Sequence, residues 1–75
     1  MELSINVEIE DETATLIADF WEDDGFIVTD IMSGRIKIIW KNLDVSPLMS
    51  KDQWNLIARQ LDEKQPELIQ MFMDA

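Results

Sequence analysis

Seventy-five residues and 8.8 kDa allow one small domain with a thin core. The chain has no cysteine and no histidine, which excludes disulfides, thiolate zinc sites, a cysteine nucleophile and histidine-based acid–base catalysis. Sixteen acidic residues outnumber six basic ones, and the net charge of −10 disfavours direct binding to nucleic acid or an anionic membrane.

From the N-terminus, Leu3 to Glu10 alternates between apolar Leu3, Ile5, Val7 and Ile9 and polar Ser4, Asn6, Glu8 and Glu10. A period of two predicts a half-buried strand, ended by the acidic turn Glu10-Asp11-Glu12. Residues 13–22 fit two patterns. Leu16, Ile17, Phe20 and Trp21 stand at helical spacing, whereas Thr13, Thr15 and the following Asp23-Asp24-Gly25 favour a strand and a hairpin loop. Pairing Glu22 with Phe26 sets Trp21 opposite Ile27, Phe20 opposite Val28 and Ile17 opposite Ile31, so the strand is preferred. Phe26–Met32 and Arg35–Trp40 then read as a second hairpin around Ser33-Gly34. It would pair Ile31 with Ile36, Thr29 with Ile38, Ile27 with Trp40 and Asp30 with Lys37.

The rest reads as helical. Ser50-Lys51-Asp52-Gln53 is a capping box, with Met49 placed to staple onto Trp54, and Trp54, Ile57, Ala58 and Leu61 form one stripe. Pro66 suits the first turn of a second helix carrying Leu68, Ile69, Met71, Phe72 and Met73. The expected fold is a single α+β domain over 1–75. It consists of a four-stranded antiparallel β-meander over 2–41 and two short C-terminal helices over 50–63 and 66–74. The three tryptophans read as structural, Trp21 and Trp40 in the sheet core and Trp54 as the helix anchor.

The segment Lys41-Asn42-Leu43-Asp44-Val45-Ser46-Pro47-Leu48-Met49-Ser50-Lys51-Asp52-Gln53-Trp54 resembles one recurring in small phage-encoded accessory proteins. There a strand runs through an Asn/Gly-x-Asp-Val/Ile-Ser/Thr turn and a short apolar step into a capped amphipathic helix. The resemblance implies a β-meander packed on a helix and a role in phage–host interaction. It brings no catalytic residues.

Function is argued from charge. Residues 1–30 hold ten acids and no base, while residues 31–75 are neutral, so the chain has an oriented acidic part. Glu8, Glu10, Asp11, Glu12, Asp19, Glu22, Asp23 and Asp24 are the candidate partner-binding residues. Such carboxylates can imitate nucleic-acid phosphates and occupy a basic groove; a solvated, solubility-giving face is the alternative. Glu22-Asp23-Asp24-Gly25 lacks the alternating ligands and distal glutamate of a calcium loop, so neither a metal nor a cofactor is expected. The chain reads as a cytoplasmic, non-enzymatic inhibitor or accessory protein. Its partner would be a basic host protein, of which nucleic-acid-binding proteins are the natural class. In the alternative the surplus apolar residues, Met71 and Phe72 among them, join copies of the chain in a homodimer or larger assembly. The sequence leaves open whether each helix covers one sheet face or one face stays free.

Overall fold

Strict alternation decides the first hairpin. In the computed structural model, which describes residues 1–74, β1 (Glu2–Ile9) pairs antiparallel with β2 (Glu12–Asp19), from Glu2 opposite Asp19 to Ile9 opposite Glu12. Between them Glu10 and Asp11 form a two-residue turn with φ of 48° and 66°. Positive φ at both central residues gives the backbone twist that two-residue hairpins require. Leu3, Ile5, Val7, Ile9, Ala14, Leu16 and Ala18 are buried on one face, whereas Ser4, Asn6, Glu8 and Thr13 on the other are exposed.

The chain then leaves the sheet and returns. β3 (Trp21–Asp23) and β4 (Phe26–Val28) form a separate two-stranded hairpin, and a 3-10 turn follows at Ile31–Ser33. β5 (Lys37–Trp40) re-enters beside β2, and β6 (Leu43–Asp44) pairs with β5 through a turn at Lys41-Asn42, again with positive φ at both residues. The result is a four-stranded antiparallel sheet in the order β1-β2-β5-β6. Followed by two helices, it makes an α+β fold.

Three pairings differ from the sequence reading. Asp24-Gly25 is a two-residue turn, so Asp23 pairs with Phe26, Glu22 with Ile27 and Trp21 with Val28, one residue out of the expected register. A one-residue slip reverses which side chains face the core. Trp21, expected in the sheet core, is accordingly 47% exposed on the side of Phe26, itself 59% exposed, and Val28, away from the buried Ile27. Ile17 lies opposite Lys37 rather than Ile31. The expected hairpin between Phe26–Met32 and Arg35–Trp40 does not form. The Asp30 carboxylate instead accepts from the Met32 N–H at 3.0 Å, which caps the 3-10 turn and leaves Met32 87% exposed. Short side-chain-to-backbone bonds of this kind compete directly with strand ladders.

The C-terminal third follows its local signals. Asp44 Oδ1 accepts from the Ser46 hydroxyl at 2.7 Å and the Ser46 N–H at 3.0 Å, turning the chain into a 3-10 turn at Ser46–Leu48. α1 (Lys51–Glu63) starts at Ser50 with both bonds of the capping box, Ser50 Oγ accepting from Gln53 N–H and Gln53 Oε1 from Ser50 N–H. α2 (Gln65–Met73) follows after Lys64, with Pro66 in its first turn.

Both helices pack on the same sheet face. Ile57, Leu61 and Leu68 join Leu16, Phe20, Ile27, Ile36 and Ile38 in one core, with Trp40, Trp54, Met71 and Phe72 half-buried around it. A fully buried Leu, Ile or Phe contributes about 1.5–3 kcal/mol over its exposed state, so this cluster carries most of the stabilising burial. The opposite face, from Ser4 and Asn6 through Thr13 and Thr15 to Lys37, is left uncovered by the helices.

Two glutamines fix the helices to strand edges. Gln60 accepts from the Glu8 N–H at 2.7 Å and donates to the Glu8 carbonyl at 2.9 Å. Gln65 makes the same pair of bonds with Ile27, at 2.9 and 2.7 Å. The helical segment is thereby held between β1 on one side and β4 on the other.

Candidate protein-docking surface

Hairpin topology separates the eight candidate carboxylates into two groups. Glu8, Glu10, Asp11 and Glu12 surround the β1–β2 turn, whereas Glu22, Asp23 and Asp24 lie on the β3–β4 hairpin beyond the other end of β2. β2 spans about 23 Å at the usual strand rise, and Asp19 closes its far end opposite Glu2. Between the groups the open face carries Ser4, Asn6, Thr13, Thr15 and Ile17, so the acids form two poles rather than a continuous row.

Their partners differ. Asp19 Oδ1 lies 2.7 Å from the terminal ammonium of Met1, and Glu12 lies 3.6 Å from Lys41 Nζ, which also sits 4.9 Å from the Trp40 ring centroid. Glu8, Glu10, Asp11, Glu22, Asp23 and Asp24 have no ion-pair partner among the described residues. No charged side chain among them is buried. Glu10, Asp11 and Asp24 also occupy left-handed backbone, where glycine or asparagine would be less strained.

Each pole adjoins a groove beside α1. Glu8 and Glu10 border one of about 300 Å³ floored by Ile9, Met49, Leu56 and Ile57. Asp23 and Asp24 border another of about 390 Å³, opposite Ala58, Leu61 and Asp62. Asp62 thus extends the second pole, although the helical sequence around it gives no sign of this. Met71 and Phe72, the candidate contacts between copies, are half-buried against the core.

A further carboxylate, that of Asp44, lies outside both poles. The Ser46 hydroxyl and N–H, followed by the Ile38 N–H, hold the Asp44 carboxyl below its ordinary value of 3.8. This is a turn-stabilising arrangement at the start of the segment that leads into α1. Among the described residues no three acidic groups gather closely enough to hold a metal ion. No helix among them is long and apolar enough to cross a membrane.

Chemically, the surface offers long-range attraction for cations and shallow apolar contact beside it. Comparison with protein-family models, curated proteins and solved structures returns no match.

Proposed function

We propose that this protein is a cytoplasmic, non-catalytic docking module. It places its acidic poles on a basic, nucleic-acid-binding site of a host protein and works as an inhibitor or accessory factor of phage origin. The observation that carries this reading is the set of six carboxylates, Glu8, Glu10, Asp11, Glu22, Asp23 and Asp24, with no cation beside them among the described residues. Self-repulsion and turn strain both oppose that arrangement, and a cationic partner relieves the repulsion. The mechanism is steric and electrostatic occlusion with fast, salt-sensitive association.

The test is capture from host lysate at about 50 and 500 mM salt, where screening shortens from roughly 14 to 4 Å. The reading requires a nucleic-acid-binding protein captured at low salt and displaced by DNA or RNA. Reversing Glu22, Asp23 and Asp24 to lysine should abolish capture with the circular dichroism unchanged. Unchanged affinity overturns it.

A second reading, assembly through apolar surface, is favoured by the groove lined by Ile31, Met32, Ile36, Pro47 and Trp54, beside which Leu48 is also exposed. It requires self-association that survives high salt, and sedimentation velocity decides it.

A further inference from the structure

We propose that the outer edge of β1 between Glu2 and Asn6 is a strand-addition site for an extended, basic segment of the partner. The inference rests on the docking reading above and adds the contact geometry. Met1 and Phe20 exchange both backbone hydrogen bonds, each at 2.8 Å, which fixes the phase of the β1–β2 ladder. Antiparallel pairs alternate between bonded and non-bonded, so Leu3, Ile5, Val7 and Ile9 bond to β2. Glu2, Ser4, Asn6 and Glu8 therefore direct their N–H and C=O groups away from the sheet.

Gln60 confirms the phase at Glu8, where its side-chain amide makes the two bonds that an added strand would make. Gln65 does the same at Ile27 on β4. Among the described residues nothing bonds to the outward groups of Ser4 and Asn6, and both residues are exposed.

Charge selects the occupant. The Glu2 and Glu8 carboxylates bracket the free edge on the face that holds Ser4 and Asn6. A second copy would bring a further net charge of −10 to an edge already flanked by Glu2 and Glu8, and that repulsion opposes self-pairing in any register. A partner strand that ends before the Gln60 amide, with one cation at that end near Glu8, another opposite Glu2 and small polar residues opposite Ser4 and Asn6, meets the free positions. Main-chain bonds then supply affinity and the two flanking cations supply selectivity.

The probe is the peptide Val-Thr-Val-Thr-Val-Lys with a free amino terminus, whose threonines fall opposite Asn6 and Ser4 and whose lysine falls opposite Glu2. Its terminal ammonium lies opposite Val7, next to Glu8, so the added strand ends before the Gln60 amide. Binding should slow amide exchange at Ser4 and Asn6. A peptide of identical charge, N-methylated at both threonines, should bind at least about tenfold more weakly, the equivalent of one or two lost hydrogen bonds. Asn6→Pro removes one outward donor, keeps the net charge and leaves the bonds to β2 intact, so it should weaken the unmodified peptide similarly. The N-methylated comparison is made on the wild-type chain and needs no variant to fold.

Equal binding of the two peptides overturns strand addition. Failure of the unmodified peptide to bind also overturns it. Self-association of the free protein that Asn6→Pro abolishes overturns it in favour of a second copy. None of these results touches the docking reading, which stands or falls separately on host-protein capture after reversal of Glu22, Asp23 and Asp24.

Discussion

The β1–β2 and β3–β4 hairpins both turn through two residues of positive φ, but they are held in different ways. The first has eight cross-strand pairs and a continuous apolar face, so each residue restates the same register. The second has three pairs, and its anchors are Ile27 in the core and Gln65 on its edge. A long half-buried ladder resists slipping because every side chain would change faces at once. A short hairpin lacks that safeguard, and distant residues decide its placement.

The largest way to test this contrast is to truncate one apolar side chain from each hairpin. Leu16→Ala in the fully buried centre of β2 should cost about 2–5 kcal/mol, whereas Phe26→Ala in β4 should stay within about 0.5 kcal/mol. Urea denaturation of the two variants gives both values, and comparable losses would mean that Phe26 is not the exposed residue described above.

A smaller effect is expected at the glutamines. Gln60→Glu keeps an acceptor for the Glu8 N–H, loses the donor to the Glu8 carbonyl and adds a negative charge beside an acidic pole. A loss of roughly 1–2 kcal/mol should appear in the same denaturation experiment. Gln65→Glu should lower stability similarly and loosen β3–β4 selectively, read as faster amide exchange at Ile27.

The turns should respond with opposite signs. Asp11→Gly relieves a left-handed aspartate and should stabilise by up to about 1 kcal/mol, whereas Gly25→Ala, at φ of 86°, should destabilise by about as much. Thermal melts of the pair measure both. If the acidic turn is there for binding, Asp11→Gly gains stability while losing affinity for a cationic partner.

The smallest effect is a pH dependence at Asp44. Its folded pKa lies below the ordinary 3.8, so its contribution is complete above that value and disappears as the pH falls through the lower folded one. Ser46→Ala removes the strongest cause and should move the Asp44 titration midpoint upward in a carboxyl NMR titration.

Much of the fold was legible because its signals are local. The Leu3–Ile9 alternation, the Ser50 capping box and Pro66 each act within a few residues. The strand reading of residues 13–22 over the helical one agrees with β2 through Asp19. The misread part, residues 21–36, was registered by its apolar matches alone, and a two-residue rather than three-residue turn at Asp24-Gly25 turned Trp21 away from Ile27 and outward. The helices gather on one face because the buried side chains of β1 and β2 all lie there, and Gln60 and Gln65, which no sequence period marks, fix their placement on β1 and β4. Charge identified the eight candidate carboxylates. Their division into two poles, and the place of Asp62 beside one of them, came only with the path of the β3–β4 hairpin.

The Gln60 contact spans 52 positions of the chain, whereas the turn at Glu10-Asp11 joins its neighbours directly. Contacts that close long loops tend to form after the rate-limiting step, and strength added there slows unfolding more than it speeds folding. Strengthening the β1–β2 turn should therefore act mainly on the folding rate and strengthening the Gln60 contact mainly on the unfolding rate, a split that stopped-flow kinetics of the two kinds of variant would read.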